Sequence, residues 1–152
     1  MFRKSGAYVV TIREMDISDY DAVIAIWRET EHLSLRDVDS RDSIAAYLAR
    51  NAGCSFVAIK DGVIVGTVLA GTDGRRGYLQ HLAVSSRLRG QGIGERLVDA
   101  TVDALAALGI HKTHLFVYHT NHSAQGFYQK LGWCARDEVR MFSFNGSEHL
   151  NA

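Results

Sequence analysis

The sequence predicts one α/β (α+β) domain, with a mixed, mostly antiparallel sheet of about six to seven strands and about four helices. Three observations carry this. Asp61-Gly62 separates two apolar runs, 54–60 and 63–70, and is the strongest hairpin signal in the chain. A helix-period stripe, Ile93, Leu97, Val98, Thr101, Leu105 and Leu108, lies between two strand-like runs, with the crossover length of a parallel pair. The 152 residues are 47% hydrophobic and 22% charged, enough apolar material for one real core and too much for a disordered chain.

Each element follows in order. Residues Tyr8 to Arg13 read as a first strand. Ser18 or Asp19 caps a helix to about Glu31, with Ala22, Val23, Ile26 and Trp27 at helical spacing. Leu33 to Asp39 is a loop. Asp39 or Ser40 opens a second helix with Ile44, Tyr47 and Leu48 on one side, closed by Asn51-Ala52-Gly53. Strands Cys54 to Lys60 and Val63 to Ala70 make the hairpin. A polar turn, Thr72 to Gly77, leads to a fourth strand, Tyr78 to Val84. A basic glycine-rich turn, Arg87 to Gly94, opens the long helix, which ends near Leu108-Gly109. His114 to Tyr118 is a fifth strand and Ser123 to Leu131 a shorter helix, with Gly132 at its C-cap. Cys134-Ala135 and Val139 to Phe144 read as a closing strand or hairpin. No repeat or linker divides residues 1–152, and 145–152 read as a loose tail.

Lys plus Arg and Asp plus Glu are 17 each, a zero balance that argues against a partner bound through a nucleic-acid backbone. No apolar window is long enough to cross a membrane. The first residues, Met1 to Gly6, lack the hydrophobic run of a signal peptide, so the expected location is the cytoplasm. Two cysteines, Cys54 and Cys134, are too few for a disulfide scaffold and read as buried small hydrophobes. His111, His114, His119 and His122 lie close together but lack metal-ligand spacing, so no metal is expected.

The informative segment runs from Leu82-Ala83-Val84 through Arg87 and Arg89 to Gly90-Gln91-Gly92-Ile93-Gly94. Three alternating glycines stand at the mouth of a long helix. The unpaired amides and partial positive charge of a helix start attract anions, glycines allow close approach, and the arginines add donors. Together these read as a pyrophosphate cradle; from the glycines alone, a glycine-rich turn with ordinary surface arginines reads equally well. Gly94 is followed by Glu95 and Arg96 rather than Lys-Ser/Thr, which excludes a P-loop. The G-x-G-x-G spacing, after four antiparallel-type strands, excludes the dinucleotide fingerprint. A nucleotide cofactor other than ATP or NAD is implied.

These residues resemble the acetyl-CoA motif of the GCN5-related N-acetyltransferase superfamily, Arg/Gln-x-x-Gly-x-Gly/Ala, here Arg89 to Gly94. A second motif of that superfamily matches Asn121 to Trp133, in the right order. The Asp73 to Gly77 turn is similar to that of small bacterial acetyltransferases of undefined substrate. The resemblance implies a GNAT-like twisted sheet whose fourth and fifth strands splay, with the pantetheine arm of acetyl-CoA in the wedge. The arm would pair with backbone around Leu82 and Val84, and the pyrophosphate would rest on the amides from Arg89 to Gly94. Asn121 and Tyr128 would flank the arm and the thiol.

It also implies acetyl transfer to a primary amine of a small molecule or peptide, within one ternary complex and without a metal. Tyr128 packs beside Phe127 or donates to the departing sulfur; the motif assigns it the acid role. Many relatives carry a glutamate base in the fourth strand, where this chain has Gln80, which takes no proton at neutral pH. Of the histidines, His119 is placed nearer the expected cleft, whereas strand alternation turns His81 away from Gln80 and Leu82. Acceptor contacts are expected from Trp27, Glu31, His32, Arg36, Asp37, Tyr78 and Gln80, with Glu31 or Asp37 holding a cation. A closing strand edge allows a monomer or a homodimer. The alternative is an acyl-CoA-binding sensor without catalysis.

Overall fold

The structure is a computed structural model that describes residues 9–152. Tyr8, the expected start of the first strand, and Met1 to Gly6 lie outside the described residues. Strand β1 spans Thr11–Glu14, and a 3-10 turn over Ile17–Asp19 leads into helix α1, Tyr20–Glu29. A second 3-10 turn, Asp37–Asp39, precedes α2, Arg41–Arg50. Strands β2 (Phe56–Lys60), β3 (Val63–Thr72) and β4 (Gly77–Val84) form the meander. Helix α3 is Ile93–Ala107, β5 is Thr113–His114 and α4 is His122–Lys130. The sheet order is β1-β2-β3-β4-β5; the first three pairings are antiparallel and β4–β5 is parallel.

Local chemistry fixes these boundaries. Asp61 and Gly62 both take positive φ, 51° and 75°, as a two-residue hairpin turn requires. Ser40 caps α2 by accepting the Ser43 amide. Asp19 is the N-cap residue of α1, as expected, though its side chain makes no cap bond there; it instead completes a reciprocal box with Asp16 at the 3-10 turn that leads in. Helix α1 stops at Glu29, short of Glu31: Thr30 is extended and its hydroxyl donates to the Ile26 carbonyl.

The sheet is sandwiched by helices. On one face Val23, Trp27 and Ile44 from α1 and α2 pack on Val57, Leu69 and Ala83. On the other, Leu97 and Val98 of α3 and Tyr128 of α4 pack on Ala58, Val68 and Leu79. Adjacent residues such as Val57 and Ala58 serve opposite cores, as strand alternation demands.

Several expectations need correction. Five strands are paired among the described residues, not six or seven. The fifth strand is two residues long rather than His114 to Tyr118, because only Gly77↔Thr113 and Tyr78↔His114 pair before the backbones diverge. The closing segment has a turn at 137–138 but no ladder, and Phe142 and Phe144 are 88% and 94% exposed. An alternating pattern makes a strand only where an edge meets it. Cys54 is buried as expected, but Cys134 is exposed, because it stands in that unpaired segment. The 145–152 stretch, read as loose, curls on itself through Asn145 and His149, and Asn151 accepts the Asp37 amide.

A further correction concerns β4. Thr67 faces Ala83 and Leu69 faces Gln80, so His81 and Leu82 together oppose Val68. This is a β-bulge, and His81 sits in it at φ +50°. The extra residue resets the alternation. His81 therefore points to the α1–α2 face, the side on which Gln80 lines a cleft, instead of away from it.

Candidate active site

Beyond Tyr78, β4 runs on to Val84 with no strand on its outer edge among the described residues. That bare edge opens a wedge toward the chain after β5. Leu79, Leu82 and Val84 of β4 share one apolar cluster with Leu115, Val117, Tyr128 and Trp133, which form the far wall. Beyond β4 the chain enters a 3-10 turn at Ser86–Leu88 and reaches the mouth of α3.

Gly90 and Gly92 take φ of 78° and 80°, and no heavy atom lies within 4 Å of where either would carry a Cβ. The backbone there is open to a bulky ligand. Gly92 caps α3, whose first bond runs from the Arg96 amide to the Gly92 carbonyl, so the preceding amides face the mouth. Gly94 serves packing instead. An added Cβ there would stand 3.3 Å from the Phe127 ring, so the bare glycine lets α4 close on α3. Ile93 is buried, anchoring the helix start, while Arg87 and Gln91 are exposed. Arg89 donates to the Val84 carbonyl at 3.3 Å and pairs with Glu31 at 3.4 Å. The structure thus joins an arginine expected at the cofactor to a glutamate expected at the acceptor.

Tyr128 is buried against Phe127 and Trp133, with ring centroids 5.1 and 5.6 Å away. Burial pushes its phenol pKa far up, so the hydroxyl stays protonated. Asn121 caps α4 by accepting the Ala124 amide. His119 is exposed in the turn before α4, its carbonyl taken by Gln125.

On the opposite face of the sheet an open cleft of about 350 Å³ is lined by Asp39, Ile44, Tyr47, Arg50, Leu69 and Gln80. Burial raises the Tyr47 phenol to about 12. Trp27, expected to touch the acceptor, is a fully buried core side chain, because α1 turns it into the sheet. Its indole N–H donates to Thr67 Oγ1 at 2.8 Å, and that hydroxyl donates to the His81 carbonyl at 3.0 Å, bracing the bulge. His32 is exposed, and Arg36 and Asp37 bond Asn151. Tyr78 is half-buried, its ring 6.0 Å from that of His114.

Sequence reading missed the pairing of His81 with Asp39. Their side chains meet at 2.7 Å, and the Trp27 ring stands edge-on to the imidazole at 4.7 Å. Asp39 is nearly buried, which by itself raises its pKa. Hydrogen bonds from His81 and the Arg36 amide outweigh that and hold the carboxyl below its ordinary value. The partners are 42 residues apart and meet only through the bulge. No local signal in the sequence could have paired them. Among the described residues no three His, Cys, Asp or Glu side chains converge to hold a metal, and no helix is long and apolar enough to cross a membrane.

Residues 20–133 match the model of the acetyltransferase (GNAT) family. An acetyltransferase of Pectobacterium atrosepticum is 35% identical over 120 residues, covering 79% of this chain and 84% of that protein. One of Yersinia enterocolitica is 31% identical over 130 residues, covering 86% and 92%. The PaiA N-acetyltransferase of Thermoplasma acidophilum, solved in complex with coenzyme A, superimposes with a TM-score of 0.77 at 20% identity, over 85% of this chain and 92% of that one.

Proposed function

The chain belongs to the acetyltransferase (GNAT) family, and we propose that within it this protein is an acetyl-CoA-dependent N-acetyltransferase acting on a primary amine of a small molecule or peptide. The observation that carries this reading is the bare outer edge of β4 running straight into the open glycine mouth of α3. An extended arm pairs with such an edge, and a pyrophosphate suits the amides at Gly90 to Gly94.

Acetyl-CoA supplies an activated acyl group as a thioester. Around it the chain holds the arm against β4 between Leu82 and Val84, and the helix mouth holds the phosphates. Backbone N–H groups at the bulge face developing negative charge on the carbonyl oxygen. Tyr128, kept protonated by burial, donates to the sulfur as the carbon–sulfur bond breaks. The amine enters from the cleft beside Gln80 on the other face, so the two reactants meet across β4. The Arg89–Glu31 pair opens to give its guanidinium to phosphate, a stronger partner than an exposed carboxylate.

The test is release of free CoA from acetyl-CoA with spermidine, glucosamine, lysine and a glycine-initiated peptide. Amine-dependent release with at least one is expected, with the acetylated amine found by mass spectrometry. Tight acetyl-CoA binding with no release for any amine would replace this reading with a sensor.

A further inference from the structure

Gln80 on β4 takes no proton at neutral pH, so the amine must be made neutral by something else. The bulge brings one group to the right face. His81 is partly exposed, its side chain 18% accessible, and it is hydrogen-bonded to Asp39, which is 6% accessible and lines the cleft together with Gln80.

The hydrogen-bond chemistry fixes the protons. Asp39 is ionised near neutrality, and a carboxylate only accepts. The 2.7 Å contact therefore requires the proton on His81 Nε2, which leaves the lone pair on Nδ1. Asp39 is itself held rigidly: its second oxygen accepts the Arg36 amide at 2.9 Å, and its carbonyl accepts the Tyr20 hydroxyl at 2.7 Å. From the other side the Trp27 ring abuts the imidazole, and Thr67 fixes the backbone of the same residue. This arrangement orients an imidazole and fixes its tautomer.

We propose that His81, oriented by Asp39, is the proton acceptor for the amine substrate. The assignment rests on the acetyltransferase reading above. Nδ1 takes one proton from the ammonium, and the freed nitrogen lone pair forms the new bond to the acyl carbon as the carbon–sulfur bond breaks. Tyr128 gives its proton to sulfur and regains one from solvent, to which the nitrogen loses its second proton; His81 then releases its proton to solvent. The charged group in contact with the ring is Asp39. Of the other elements around it, α1 carries Asp21, Arg28 and Glu29, all exposed, and α2 contributes Arg50 at the cleft wall. Asp39 is a positioning residue.

The test uses His81→Gln and Asp39→Asn in the whole chain, with the amine that gives the fastest release from the panel above. In His81→Gln, kcat/KM for the amine is expected to fall about 10²-fold at neutral pH. Its pH profile should instead follow the amine's own deprotonation, so that the deficit narrows toward pH about 10, where the free amine forms unaided. Acetyl-CoA affinity should stay within about twofold, since the helix mouth is untouched. Asp39→Asn should lose part of the same rate while keeping acetyl-CoA affinity. Independently of turnover, 15N spectra of labelled histidine should show neutral His81 protonated at Nε2, and a mixed tautomer in Asp39→Asn. A His81→Gln enzyme whose pH profile matches that of the unaltered chain overturns the assignment while leaving the transferase reading intact, as does a neutral His81 protonated at Nδ1. Release with no amine, despite acetyl-CoA binding, overturns both. If His81→Gln fails to fold, the tautomer in the unaltered chain and the pH profile of Asp39→Asn decide.

Discussion

Tyr128 derives its chemistry from its surroundings. Desolvation between Phe127, Trp133 and the β4 cluster holds the phenol in its protonated form, and a protonated phenol is a donor at any ordinary pH. Tyr128→Phe keeps the ring and the packing and removes the donor. We expect kcat to fall about 10²-fold and acetyl-CoA affinity to move less than about threefold, read by CoA release and calorimetry. An unchanged kcat removes Tyr128 from the reaction. Residues of this kind were legible because they stand in a local motif: Tyr128 follows Phe127 on α4, and Gly90, Gly92 and Gly94 sit together at one helix start. Asp39 was not. In the sequence it reads as a loop end or a helix cap, and its partner His81 is placed on the wrong face by simple alternation. One unpaired residue in β4 moves that imidazole to the other side of the sheet.

Elements differ in how much of their geometry lies within their own residues. The β2–β3 hairpin is set by Asp61-Gly62 and was legible. Helix α3 was legible from its stripe and its glycines, except at Leu108, which stands past the last helical residue and is exposed. β5 was not, because its length depends on β4. Gly77 already stands so close to β5 and α3 that a Cβ would lie 2.5 Å from Thr113 and 2.7 Å from Leu105. After that tight crossing the strands separate, and the separation is the wedge. The helix mouth gives the sharper prediction. Gly92→Asp forces a side chain into left-handed backbone, at a cost of about 1–2 kcal/mol. It also places a negative charge at the proposed phosphate cradle. We expect acetyl-CoA affinity to fall more than about tenfold in calorimetry. The fold should persist by circular dichroism, because nothing lies within 4 Å of the new Cβ. Retained affinity would place the cradle elsewhere.

The molecule is held together across its layers by two nearly buried carboxylates that the apolar pattern does not announce. Asp19, at the start of α1, accepts two bonds from Arg13 of β1, both at 2.8 Å. Asp39, just before α2, is bound to His81 of β4. Each ties the α1–α2 layer to a different strand of the sheet, in addition to the apolar packing of Val23, Trp27 and Ile44 on that face. For Asp19 the hydrogen bond from Arg13 is the largest effect, and it lowers the pKa against the opposing effect of burial. For Asp39 burial is largest and raises the pKa, but His81 and the Arg36 amide outweigh it, so the net direction is again down. The sign of the pH dependence follows. A carboxylate whose folded pKa lies below its unfolded value of about 4 contributes its full stabilisation above that pH. It loses that contribution as the pH falls through the lowered folded value. Asp16, Asp73 and Glu138 are also lowered, but they are solvent-exposed and contribute little. The urea midpoint is therefore expected to hold from pH 7 to about 5 and to drop below about 4. Asp19→Asn and Asp39→Asn should each lower stability at pH 7 by on the order of 1 kcal/mol and flatten the acid slope, and the double variant should flatten it further. Their side chains share no hydrogen-bond partner, so their effects on the acid slope should largely add. An acid slope as steep in the double variant as in the unaltered chain would move the pH dependence to other groups and leave the layers joined by apolar packing alone.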